Sequence, residues 1–246
     1  MRNLTISVNP YLNFFEKGIP REAFGRFMAN RSIYNAMRKS VHLTDCQRAI
    51  LVGTLLGDGS LIETSSKNNL RLQITHCDAQ KAFVFWKYEA FKSLVLTPPK
   101  YQKQNDAWRF RTISHPELTE IGKSFYQNRQ KIVPKGIASL LSPIGLAVWF
   151  MDDGAFHRSG GYLINTQCFT IAECDLLRES LRKIFNIENI TRHRDHNGWR
   201  LYIQVSSAKK FREIIEPFML KEMMYKIKSP VETTRKLLTF AVRMKI

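Results

Sequence analysis

The sequence predicts an α+β protein in which one αββαββα-type unit occurs twice. Three observations carry that prediction. Two apolar runs of helical length, "LVGTLLGDG" (residues 51–59) and "LAVWFMDDG" (146–154), both end in Asp-Gly. Each is followed by the same order of helices and strands, with a Trp-Arg strand, "AWRFR" and "GWRLY", in the same place. Lys131 follows Asp58 at the distance, 73 residues, at which Lys226 follows Asp153, and isoleucine comes next in both cases.

The first unit opens with "TDCQRAILVGTLLGDG", a helix with Thr44 as N-cap, Gln47 at the capping-box position and Gly59 closing it. In "NLRLQIT" Leu70, Leu72 and Ile74 alternate with Asn69, Arg71, Gln73 and Thr75, which predicts a half-buried strand with a polar, basic open face. "DAQKAFVFWKYEAFKSLVL" has helical periodicity up to Pro98-Pro99. "KYQKQ" and "AWRFRTI" are strands joined at Asn105-Asp106, and "HPELTEIGKSFYQN" is a helix with Pro116 in its first turn. The second unit repeats this from Ser142. It runs helix "PIGLAVWFMDDG", strand "GYLINTQ", helix "IAECDLLRESLRKIF", strands "ITRHRDH" and "GWRLYIQVS" around Asn197-Gly198, and helix "AKKFREIIEPFML". The expected division is a basic extension (1–43), a first domain (44–139), a second (140–228) and a helical tail (229–246).

Thirty-eight Lys and Arg against 21 Asp and Glu give a net charge of +17, which points to a polyanionic partner, nucleic acid first. No apolar run reaches the length of a spanning helix, and basic residues are spread along the chain, so an acidic membrane surface is the poorer partner. Cys46, Cys77, Cys168 and Cys174 form no C-x-x-C pair and suit a reducing compartment. The start has no continuous apolar signal, and its basic residues suit an organellar leader, a DNA-clamping arm or part of the fold. "HRDH" at 193–196 falls in a hairpin with no further ligand at helical spacing, so it reads as a solvated or DNA-facing loop.

Gly53 and Gly57 stand four apart on one helix face and allow a second helix to come close. Pairing the two Asp-Gly helices would bring Asp58 and Asp153 together beside two helix C-termini, where only a cation relieves the repulsion. A hard divalent ion suits such oxygen ligands, and the arrangement suits metal-assisted phosphodiester cleavage.

The two runs resemble the paired motifs of the LAGLIDADG homing endonucleases. They align without gaps, and "LTPPK", "LSPIGLAVWFMDDG", "LINTQCFT" and "MMYK" extend the similarity to the single-chain, two-motif branch over roughly residues 44–228. The resemblance implies two pseudo-twofold-related domains, each with an antiparallel sheet forming part of a DNA-binding saddle. It makes Asp58 and Asp153 the ligands of Mg²⁺ or Mn²⁺, helped by the main-chain carbonyls of Gly57 and Asp152. Lys131 and Lys226 fall on the active-site lysines, and His76 and Gln167 on water-positioning side chains, the histidine being a departure from the usual glutamine. Val148 and Asp152 replace small residues at the pairing face. The sheets are expected to enter the major groove, with Arg71, Gln73, Thr75, Arg109 and Arg111 as readers in the first half and Arg192, Arg194, Arg200, Tyr202 and Gln204 in the second.

The implied activity is site-specific cleavage of both DNA strands by a monomer, leaving short 3′ overhangs, for an intron-encoded enzyme in an organelle. An RNA-binding intron maturase and a non-catalytic ribonucleoprotein component are the other classes. Both aspartates and both lysines favour the nuclease, because binding alone does not require two crowded carboxylates facing a polyanion.

Overall fold

The computed structural model describes residues 38–64 and 69–228. The predicted extension falls almost wholly, and the predicted tail wholly, outside the described residues. Contacts divide the chain into two compact units. One holds the chain through Gln47 together with Ser60–Gly122, and the other holds Arg48–Gly59 and the chain from Lys123.

Helix α1 (Asp45–Leu56), most of which counts with the second unit, starts as expected. The Thr44 N–H donates to Gln47 Oε1 (2.9 Å) and the Gln47 N–H to Thr44 Oγ1 (3.2 Å), the reciprocal pair of a capping box. Strands β1 (Ser60–Glu63), β2 (Leu70–Cys77), β3 (Lys100–Gln102) and β4 (Ala107–Arg111) form an antiparallel sheet of order β1-β2-β4-β3. Helix α2 (Lys81–Ala90) lies between β2 and β3 in the chain and packs on β2 and β4. It is shorter than its periodicity suggests. After Ala90 the chain tightens into a 3-10 turn, Lys92–Leu94, that buries Phe91 and Leu94 completely and lets the Leu94 carbonyl accept from the Ile113 N–H (2.7 Å). Asp106, left-handed at φ 45°, makes the expected turn before β4.

Register fixes which side chains share a face. Gln73 pairs with Arg111, Thr75 with Arg109, and Arg109 with Lys100. Arg71, Gln73, Thr75, Arg109, Arg111 and Lys100 therefore stand on one face, while the buried Leu72, Ile74 and Phe110 stand on the other, under α2. His76 shares the α2 face.

α3 (Pro116–Phe125) runs into a tight hairpin of two two-residue strands, β5 (Tyr126–Gln127) and β6 (Gln130–Lys131). Its turn residues Asn128 (φ 50°) and Arg129 (φ 65°) are both left-handed, as a type I′ turn requires. Asparagine adopts that conformation at little cost and arginine at a greater one. Replacing the exposed Arg129 by glycine is expected to stabilise the protein by about 1 kcal/mol, read from chemical denaturation midpoints.

The second unit repeats the plan. A single helical turn, α4 (Ile137–Leu140), precedes α5 (Pro143–Asp153), whose N-cap Ser142 accepts from the Gly145 N–H (3.3 Å). Residues 145–152 of α5 are all buried, as expected of a helix apolar on every side. Strands β7 (Gly154–Phe156), β8 (Tyr162–Asn165), β9 (Ile190–Asp195) and β10 (Gly198–Ile203) form a sheet of order β7-β8-β10-β9, the same order as in the first unit. α6 (Ile171–Phe185) begins at a complete Thr170/Glu173 capping box and covers β9 and β10. α7 (Val205–Ile215) packs on α5 and is followed by 3-10 turns at Glu216–Phe218 and Lys221–Lys226.

Here the structure corrects three placements. The strand "GWRLYIQVS" ends at Ile203, so Gln204 is not a strand residue. It is the N-cap position of α7, and its N–H donates to the Asn189 carbonyl (2.9 Å). Arg192 pairs with Leu201 and Arg194 with Trp199, which puts both arginines on the helix-covered face, away from Arg200 and Tyr202. Arg192 lies over the Trp199 ring (5.3 Å to its centroid) and bridges to Asp175 of α6 (3.2 Å).

Candidate active site

The site is built where α1 and α5 end. Both helices lie close because α1 presents glycine at the crossing. A Cβ on Gly53 would run into the Gly145 carbonyl oxygen, and one on Gly57 would sit 2.5 Å from the Asp152 Cβ. The matching positions of the second motif are Val148 and Asp152, and their side chains fill the room that Gly53 and Gly57 leave. The pairing is a knob-and-hole fit rather than a symmetrical one.

Consequently the Asp152 side chain is buried against Gly57, and its carboxylate comes within 4.8 Å of that of Asp58. The motif pattern assigned Asp152 only a main-chain carbonyl, so this third carboxylate is new. Asp153 feels all of them. Its carboxyl is pushed up to about 7, first by burial and then by the negative charges of Asp58 and Asp152, against the opposing pull of Lys131 and Lys226.

The lysines do matching work. Lys131, delivered by the β5–β6 hairpin, donates from Nζ to the carbonyls of Gly57 (2.7 Å) and Gly59 (2.8 Å) at the end of α1. Lys226, from the last 3-10 turn, donates to the carbonyls of Met151 (2.6 Å) and Asp152 (2.8 Å) in the last turn of α5. Each ammonium meets the partial negative charge of a helix C-terminus. Burial draws Lys131 below its ordinary value, while Cys168 and the three aspartates hold it up. The Cys168 thiol, raised by burial, is thus a further neighbour of Lys131 and Asp153 that the motifs did not reveal.

The other predicted residues have the following surroundings within their own units. His76 is buried in the first unit, 3.4 Å from Lys87 Nζ and beside the Phe83 ring (5.2 Å). Gln167 donates to Asp195 (3.1 Å), which also pairs with Arg200 (3.2 Å). Tyr202 is mostly buried, its ring against His193 (4.5 Å) and its hydroxyl 2.6 Å from Ser159 Oγ. In the first sheet Arg111 donates from Nε to Gln73 Oε1 (2.7 Å).

Three carboxylates and adjacent main-chain carbonyls are hard oxygen donors of the kind Mg²⁺ and Mn²⁺ take. The upward displacement of Asp153 by its acidic neighbours is the strain that a divalent cation would relieve, so the residues fit such an ion. Without metal, the folded chain holds the Asp153 proton more tightly than the unfolded chain, where aspartate titrates near about 3.9. Stability should therefore fall as pH rises from about 4 to about 7. In EDTA at pH 8, Asp153→Asn is expected to melt a few degrees above the parent, and at pH 5 the gap should shrink, both read from thermal melts.

Residues 48–211 match the model of the LAGLIDADG DNA endonuclease family. The chain belongs to that family. It is 30% identical over 208 residues to the DNA endonuclease I-ChuI of Chlamydomonas applanata, covering 75% of this chain and 95% of that protein. It is 27% identical over 199 residues to "Probable intron-encoded endonuclease 1" of Wickerhamomyces canadensis, covering 75% and 85%. It also spans about half the length of the mycobacterial RecA proteins it matches. Among solved structures, the homing endonuclease I-WcaI bound to its DNA recognition sequence superposes with a TM-score of 0.75 at 22% identity, over 90% of this chain and 99% of that one. This LAGLIDADG protein therefore has the homing-endonuclease fold. No helix among its described residues is long and apolar enough to cross a membrane.

Proposed function

We propose that this LAGLIDADG protein cuts both strands of a specific DNA site as a divalent-metal-dependent homing endonuclease, one chain per site. The observation that carries the reading is the crowding of Asp58, Asp152 and Asp153 at two lysine-capped helix ends. Asp58 and Asp153 would hold Mg²⁺ or Mn²⁺, with the Gly57 and Asp152 carbonyls beside them. Such ions polarise a phosphate and make a bound water acidic enough to attack it.

The chain's own groups supply the rest. Lys131 and Lys226 offset the helix-end carbonyls, so a phosphate meets less negative charge on approach. Their placement also suits stabilising the extra charge of the pentavalent transition state. Asp152 adds negative charge beside Asp153, which a bound divalent cation would offset. Gln167, held by Asp195, and His76 would position water. A relative named as intron-encoded supports an intron as the setting.

The test is to incubate EDTA-stripped protein with fragmented DNA of the source organism and restore Mg²⁺ or Mn²⁺. Discrete paired breaks with short 3′ overhangs are expected only after metal is restored. Absence of discrete breaks at every metal concentration would overturn the reading.

A further inference from the structure

The two sheets are similar in topology but not in charge. On the open face of the first, Arg71, Arg109 and Arg111 form a row of charge down the face, Arg109 level with Lys100, and none of the three arginines has a carboxylate within ion-pair distance among the described residues. Arg71 Nε, Arg109 Nε and Thr75 Oγ1 are shielded from solvent and lack hydrogen-bond partners. Buried donors of this kind destabilise the free protein until something accepts from them. Burial and the neighbouring Arg71 and Arg109 guanidinia draw Arg111 below its ordinary value, a sign of mutual repulsion awaiting an acceptor. A polar hollow of about 220 Å³ opens beside the row, lined by Lys100, Gln102, Arg109 and Arg111 among others.

The second sheet also leaves arginine donors shielded without partners, at Arg200 Nε and Arg192 Nη1, but there the charge is met by carboxylates. Arg200 is paired with Asp195, whose oxygens also accept from Gln167 and from the His196 N–H. Arg192 stands on the helix-covered face, paired with Asp175, and adds nothing to the open face.

From this contrast we infer that the protein's DNA site is guanine-rich in one half only, the half read by the first sheet, with Arg109 and Arg111 each forked onto a guanine. Arginine engages O6 and N7 of guanine bidentately, and no other base offers two acceptors to it in the major groove. Gln73 is then a positioning residue. By accepting the Arg111 Nε–H it turns the two terminal nitrogens outward, whereas the motif pattern had suggested that Gln73 reads a base itself. Arg109 and Arg111 are two residues apart on β4, roughly 7 Å along the strand. That equals about two base-pair steps of 3.4 Å, so the guanines should be about two base pairs apart.

This inference rests on the DNA-cleaving function proposed above, and its test separates the two. Binding sites are selected from randomised duplex DNA with Ca²⁺ in place of Mg²⁺, using the parent protein, Arg109→Lys, Arg111→Lys, Arg111→Ala and Gln73→Ala. The parent should select two such guanines in one half-site. Arg109→Lys should relax one of them by roughly ten- to a hundredfold. Arg111→Lys, Arg111→Ala and Gln73→Ala should all relax the other and leave the first intact. A phosphate-holding role would instead lower affinity uniformly across sequences for Arg111→Ala and leave base preference intact in every variant, and that result overturns the inference. A selected site without these guanines also overturns it, while specific cleavage of that site leaves the nuclease standing. Failure to select any sequence, together with failure to cleave, overturns both.

Discussion

Asp58→Asn and Asp153→Asn should each lower double-strand cleavage by about a thousandfold or more while leaving DNA affinity within about threefold of the parent. Asparagine keeps the size of the side chain and one oxygen, so the helix ends need not move. What is lost is the charge that holds a divalent cation beside a polyanion. Affinity should stay level or tighten, because each change removes a negative charge facing phosphate. Each variant also removes one of the charges that raise Asp153, or Asp153 itself, so both should be stable folded proteins. Cleavage is measured on the mapped site under single-turnover conditions, and binding by filter retention in Ca²⁺. If either asparagine variant cut at the parental rate, its carboxylate would have no part in the chemistry.

Gly53→Ala should destabilise the protein by roughly 3 kcal/mol or more, a larger effect than most single methyl additions. The added Cβ would meet the main chain of Gly145 and the Val148 Cβ at 2.9 Å, and neither is the far end of a flexible side chain. The helices would have to separate, which also pulls apart the three carboxylates. Gly136→Ala is the natural control. Its nearest neighbour is the Ser139 hydroxyl at 3.7 Å and its φ is −89°, so the change should be neutral within about 0.5 kcal/mol. Urea midpoints of the two variants decide the matter, and equal midpoints would mean that the close helix contact is not what holds the site.

The parts of this protein that were legible in its sequence are those with local, periodic causes. Thr44 and Gln47 announced the start of α1, and alternation in "NLRLQIT" gave the face of β2. The paired Asp-Gly endings pointed to the two helix ends whose carboxylates the fold brings together. β1 and β7 were not legible, since four and three residues following directly on a helix end show no period to count. The β5–β6 hairpin that delivers Lys131 was hidden because Arg129 occupies a left-handed position that glycine normally marks. The sheet face of Arg192 and Arg194 had a signal that charge obscured. They share parity with the buried Ile190, and long arginine stems cover apolar surface while their heads find Asp175 or water. The buried Asp152 side chain could be found only from the other helix, because nothing local says that Gly57 leaves room for it.

Manganese can be located in crystals of the protein with its cleaved or uncleaved DNA site, through its anomalous scattering. The carboxylates of Asp58 and Asp153 should both coordinate Mn²⁺ that also touches the scissile phosphates, with Lys131 and Lys226 still on the helix-end carbonyls. Manganese bound away from both aspartates in crystals that nonetheless turn over would contradict the assignment of this site as the nuclease centre.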